Sequence, residues 1–239
     1  MKNIRFYKYD KMGYEIKGFS YLSTRILRFF SIPIARSISQ TRVCPETIAV
    51  ISFVFFFFAA FLFATGLMFF NLFGALIFFF AWVLDCVDGD LARLTGRVSV
   101  FGEFLDSTIG KIVTPMTYFG ICFGLYRDFK DCYIWILGFL VISGFYLFGM
   151  ASNKIEKITK KYPCQERNLE KNDLAYIEIN LLKVFVREIS VGHNFLYFLI
   201  IIGAILNCLH IVMQMSVVYV FLYSLIIFRQ GFLKTRGCR

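Results

Sequence analysis

Six long apolar runs dominate the chain, at residues 46–66, 68–85, 105–126, 133–150, 194–210 and 212–228. Each is near the length a helix needs to cross about 30 Å of hydrocarbon. None alternates apolar and polar positions as a barrel strand does, so helices are the viable way across. The links at 66–70 and 210–214 leave room only for tight helical hairpins. Ahead of the first run, Phe19–Arg42 mixes Phe, Leu and Ile with Arg25, Arg28, Arg36 and Arg42. That mixture predicts an amphipathic helix, broken near Pro33, lying against an anionic leaflet. A basic leader that only sets topology is the plainer reading. The expected fold is an all-α membrane protein of six transmembrane helices with an N-terminal amphipathic juxtamembrane helix. Residues 1–44 form the N-terminal segment, 45–230 the membrane domain with a loop at 151–190, and 231–239 a tail.

Composition sharpens this. Of 239 residues, 58% are apolar and 31 are Phe, against roughly 45–50% apolar in soluble domains. A chain this apolar and this poorly charged cannot stay disordered in water, nor hide so much apolar surface as a soluble globule. The seven Cys are odd in number, scattered, and form no Cys-x-x-Cys pair. They suggest neither a disulfide framework nor a zinc site. The first forty residues carry charges throughout and no continuous apolar core, so no cleavable signal peptide is expected.

Lys and Arg number 26 against 16 Asp and Glu, a formal charge of +10. Placement decides what that surplus means. Residues 1–44 carry nine of the cations, 151–190 eight, and the tail after Phe228 four, with Arg93 and Arg97 between the second and third runs. The opposite side has Arg127 and Lys130. The positive-inside rule therefore puts both termini and the 151–190 loop in the cytoplasm. Lipid headgroups, not nucleic acid, are the implied partners.

Carboxylates at the edge of a membrane span are costly and usually functional. Here they concentrate as Asp85, Asp88, Asp90, Glu103 and Asp106. Asp85, Asp88, Gly89 and Ala92 fall at i, i+3, i+4 and i+7, one face of a helix. Gly102 and Asp106 repeat the i, i+4 spacing at the start of the third run. Such acids repel one another unless a cation holds them, and hard oxygen ligands suit Mg²⁺, Mn²⁺ or Ca²⁺. Arg93, one turn beyond Gly89, is placed to meet a phosphate oxygen. The bland reading is that the acids only pair with Arg93, Arg97 and Lys111, which would not require the glycines.

Together, Asp85-x₂-Asp88-Gly89-x₂-Ala92-Arg93-x₈-Gly102-x₃-Asp106 resembles the signature of the CDP-alcohol phosphotransferases. Seven fixed positions would agree by chance on the order of 10⁻⁸ per starting point. Val83–Ser107 looks most like the branch that makes inositol-phosphate phospholipids. Arg42–Thr47 resembles the family's lead into its first span, with Glu46 where Asn is common. The resemblance implies a membrane transferase of phospholipid synthesis that moves a substituted phosphate from a CDP-alcohol to an alcohol or lipid acceptor, releasing CMP. It implies Asp85, Asp88 and Asp106 as ligands of Mg²⁺ or Mn²⁺, with Asp106 also in the catalytic centre. It implies Gly89, Ala92, Arg93 and Gly102 as the CDP site, a cytoplasmic active site, and homodimers.

One departure stands out. The family pattern continues with a fourth Asp, a metal ligand and base, where this chain has Gly110 followed by Lys111. Loss of a general base typically costs 10²–10⁴-fold. On regular helices Glu103 and Asp90 point away from the ligand face. Two readings follow: a working phosphotransferase whose acceptor needs little base help, or a degenerate member that binds a CDP-alcohol or headgroup without turnover. A transporter with an acidic cation site is weaker, because no midspan carboxylate lines a path. Lys111 either pairs with Asp106 or holds an acceptor phosphate. His193 and His210 read as interfacial residues.

Overall fold

The computed structural model describes residues 22–161 and 193–236. Among these, every regular element is a helix: α1 Leu22–Ser39, α2 Pro45–Ala64, α3 Met68–Thr95, α4 Val100–Phe129, α5 Tyr133–Lys161, α6 His193–Ile205 and α7 Leu209–Arg236. Four of them, α2, α3, α5 over Tyr133–Ala151 and α7 over Leu209–Arg229, are long and apolar enough to cross a membrane. Helix α4 has the length but carries Glu103, Asp106 and Lys111 in its first half. Helix α6 is a shorter apolar helix. The all-helical expectation therefore holds, with four membrane-length helices where six runs were expected.

The helices pack as a ring in which α3, α2, α4, α5, α7 and α6 each lie against the next and α6 returns to α3. Helix α1 packs outside, along α3. It continues through Pro33, where a break was expected. Leu27, Ser31 and Ala35, one face at i, i+4 and i+8, are buried, while Phe29 and Phe30 are exposed. The first 21 residues and most of the 151–190 loop lie outside the described residues.

Backbone contact between α2 and α4 is close because α4 offers Gly120 and Gly124. A Cβ at Gly120 would lie 2.3 Å from the Ala60 carbonyl oxygen. Small residues four apart let membrane helices approach in this way. Aromatic packing fills the interior: Tyr197 of α6 meets Phe78 at 5.1 Å and Trp82 at 5.4 Å edge-on, and Phe56 meets Phe78 at 5.0 Å. Such edge-to-face pairs add about 0.5–1.5 kcal/mol each beyond area burial. Two buried hydroxyl pairs tie α4 across the ring. Tyr118 donates to Ser216 of α7 at 2.7 Å, and Thr114 and Tyr197 meet at 3.3 Å.

Helix α3 runs ten residues past the expected end of its apolar run, so the acidic motif sits on its final turns. It stops at Gly96, whose φ of +70° turns the chain back. That left-handed conformation is routine for Gly and strained for other residues. Ser99 then caps α4, accepting from the Gly102 N–H at 2.9 Å.

Candidate functional site

The two motif-bearing helices are both packed on α2 and make little direct contact with each other. The motif carboxylates stand on the last turns of α3 and the first turns of α4. From α3, Asp85 is half-buried and Asp88 buried, and Asp106 of α4 is exposed. The three carboxylates are near enough that their charges act on one another. Tyr197 of α6 is buried nearby, with Thr114 as its hydrogen-bond partner and within reach of the Asp85 charge. Sequence reasoning missed Tyr197, which lies 91 residues beyond Asp106 and carries no motif signal.

The carboxylates are neighbours without closing on one point. Among the described residues, no three Asp, Glu, His or Cys side chains converge closely enough to hold an ion. Asp88 is turned onto the Gly89 N–H. The donor set itself suits a hard divalent cation, since three mutually repelling carboxylates are what such an ion neutralises.

Asp90 has a different task. It is fully buried and accepts from Arg28 and, at 2.7 Å, from Ser31, both on α1. Arg93 reaches the same carboxylate at 3.3 Å. Asp90 is thus the anchor of α1 on α3. Arg93, expected to face phosphate, rests in this ion pair. Its guanidinium lies back over Gly89, where a Cβ would come within 2.9 Å of it. The space over Gly89 therefore accommodates an arginine that a ligand phosphate would have to draw away.

Gly102 has a local reason to be small. A Cβ there would meet Ser99 Oγ at 3.1 Å. Ser99 Oγ in turn donates to Glu46 Oε1 at 2.6 Å. Glu46 of α2 thereby braces the start of α4, a role its sequence position only hinted at. Ala92 is half-buried, one turn past Asp88. Gly110 opens on space, with no atom within 4 Å of where its Cβ would be. Lys111 is exposed, and its backbone carbonyl accepts from the Tyr146 hydroxyl at 3.0 Å. His210 sits at the far end of the bundle against Phe129, with ring centres 5.8 Å apart. The side chain of His193 is outside the described residues.

The family model for CDP-alcohol phosphatidyltransferase matches residues 42–223, which contain every motif residue. The chain belongs to the CDP-alcohol phosphatidyltransferase family. Within that family it is 42% identical over 74 residues to an archaetidylinositol phosphate synthase of Pyrococcus horikoshii. The matched stretch is 30% of this chain and 36% of the relative, so the chain matches about a third of that relative's length. The fold is similar to crystal structures of Mycobacterium tuberculosis phosphatidylinositol phosphate synthase. The form with CDP-DAG bound gives a TM-score of 0.61 at 18% identity, covering 85% of this chain and 94% of that one. The apo form gives 0.52 at 19% identity, covering 84% and 94%. Both named relatives fall in the inositol-phosphate branch that Val83–Ser107 resembles. The phosphatidyltransferase-family chain is an integral membrane protein by its helices and its family.

Proposed function

We propose that this phosphatidyltransferase-family chain transfers a substituted phosphate from a CDP-alcohol to an acceptor hydroxyl and releases CMP. The observation that carries the proposal is the grouping of Asp85, Asp88 and Asp106, from the end of α3 and the start of α4, within reach of one another's charge. In this reading those three carboxylates hold Mg²⁺ or Mn²⁺. The bound metal supplies charge neutralisation on the pyrophosphate oxygens as the leaving phosphate gains charge.

The chain's own residues supply position. Gly89 and Gly102 let the donor phosphates approach backbone, and Ala92 keeps the wall beside them low. Arg93 leaves Asp90 for a phosphate oxygen, a stronger partner for a planar bidentate donor. Lys111, exposed near the Gly110 opening, holds an anionic acceptor. The acceptor oxygen attacks the phosphorus next to the donor alcohol, the bond from that phosphorus to the CMP oxygen breaks, and a phosphodiester forms. With Gly110 in place of a carboxylate, the acceptor proton passes to water filling that opening. The reaction accordingly favours an acceptor hydroxyl that ionises easily.

The proposed topology has six crossings, with α4 and α6 completing the four longer apolar helices, and with both termini and the motif carboxylates cytoplasmic. Helix α1 lies at the membrane surface as an amphipathic element, and the exposed Phe side chains of α2 and α3 face lipid. Pairing of two copies is part of the proposal.

Gly110 also favours a second reading, a binder of CDP-alcohol or headgroup without turnover. Metal-dependent CMP release from a panel of CDP-alcohols separates the two. Release by the native protein, abolished in Asp106→Asn, supports the transferase. Release that appears only in Gly110→Asp supports the binder.

A further inference from the structure

The other end of the bundle holds a second polar concentration. Residue 71 lies seventeen positions before Asp88 on α3, roughly 26 Å away at about 1.5 Å per residue. A cavity of about 70 Å³ opens there, lined by Gly66, Asn71, Asp128, Asn207 and His210 among apolar neighbours. It draws on three separate places in the chain: the α2–α3 turn, the end of α4 and the α6–α7 turn.

Asn71 is the informative residue. It is only 4% exposed, and its Oδ1 has no hydrogen-bond partner. A buried amide oxygen left in that state is destabilising until a donor or a cation meets it. Asp128 brings a negative charge to the same space. Its carboxylate hangs over the α2–α3 turn, where a Cβ at Gly66 would lie 3.1 Å from Oδ1. Gly66 can take this place because its φ is +72° and it has no side chain.

We infer that this cavity binds one small hard cation, of the Ca²⁺ class. A carboxylate and an amide oxygen are the ligands such an ion takes, with water and backbone carbonyls completing a flexible shell. The carboxylate disfavours an anion, and the polar wall disfavours an apolar guest. A single carboxylate sets weak affinity, in the range of about 10⁻⁴–10⁻³ M typical of low-charge sites. The bound ion would join α3 and α4 at the end opposite the motif. The inference does not depend on the transferase reading, because none of these residues belongs to the acidic motif.

The test is thermal unfolding of the full-length protein in detergent, titrated with CaCl₂ against NaCl of matched ionic strength. The native chain and Asp128→Asn are compared directly, since Asp128 is exposed and its replacement leaves the core intact. The expected result is a midpoint that rises with Ca²⁺ through the millimolar range. Part of that rise is missing in Asp128→Asn and in Asn71→Leu. In Asp88→Asn/Asp106→Asn, which removes the motif carboxylates, the Asp128-dependent part persists. A Ca²⁺ response identical in the native chain and Asp128→Asn overturns the inference. So does a response that NaCl reproduces, which would mark the cavity as a water site.

Discussion

Ser31 Oγ donates to Asp90 Oδ2 at 2.7 Å, fastening α1 to α3 two residues from Asp88. Arg28 completes the clamp from the same face of α1. Removing one partner of a buried, hydrogen-bonded charge pair is far costlier than the pair's net worth, because it strands the other charge. Asp90→Asn is expected to destabilise by about 3 kcal/mol, and Ser31→Ala by about 1 kcal/mol. Thermal unfolding in detergent, with the rate of tryptic cleavage within α1, reads both effects. An unchanged midpoint and cleavage rate in Asp90→Asn would show that α1 is held by something else.

Glu46 and Ser99 set where α4 begins. Glu46→Ala removes the acceptor of the Ser99 hydroxyl and is expected to cost about 1 kcal/mol. Because Asp106 lies two turns into α4, the transferase reading also expects lower CMP release. Glu46→Gln keeps an acceptor oxygen and should recover most of the loss. Rescue by Gln distinguishes a positioning role from a general loss of stability.

The approach of α2 to α4 predicts an unusual sensitivity at Gly120. Alanine is normally the better helix former, by about 0.8–1.0 kcal/mol over Gly. Here its Cβ would meet a backbone oxygen at 2.3 Å, which no side-chain rotation relieves. Gly120→Ala is therefore expected to destabilise by about 1–3 kcal/mol through overpacking. Chemical unfolding in mixed micelles measures it.

Gly110 predicts the opposite sign. Nothing lies within 4 Å of a Cβ there, so Gly110→Ala should stabilise by up to about 1 kcal/mol through helix propensity alone. If water or the acceptor uses that opening, the same variant raises KM for the acceptor while leaving donor binding unchanged. Equal KM values in native and variant protein would mean the opening plays no part.

The motif was legible because helical spacing is arithmetic: Asp85, Asp88, Gly89 and Ala92 share a face wherever a helix forms. The extent of α3 was not. Acids at 85–90 resemble the end of a span, and only the tertiary clamp from Arg28, 62 residues away, explains how a helix carries them onward. Arg93 was assigned to phosphate from spacing, and it rests on Asp90 because the partner one turn away is already there. Gly120 and Gly124 had a readable four-residue spacing, but which helix they meet is a fact of packing. Tyr197, buried beside Asp85, had no local signal at all. Its placement comes from the return of α6 to α3, which no spacing within α6 announces.

The central claim is that Asp85, Asp88 and Asp106 form a joint site for nucleotide and metal despite Gly110. The most direct measurement is the thermal midpoint of the purified protein with CDP or CMP, with Mg²⁺ or Mn²⁺, and with both together. A stabilisation by the pair that exceeds the sum of the two alone, and that vanishes in Asp88→Asn, is the predicted result. No stabilisation by the pair at millimolar concentrations would contradict the account.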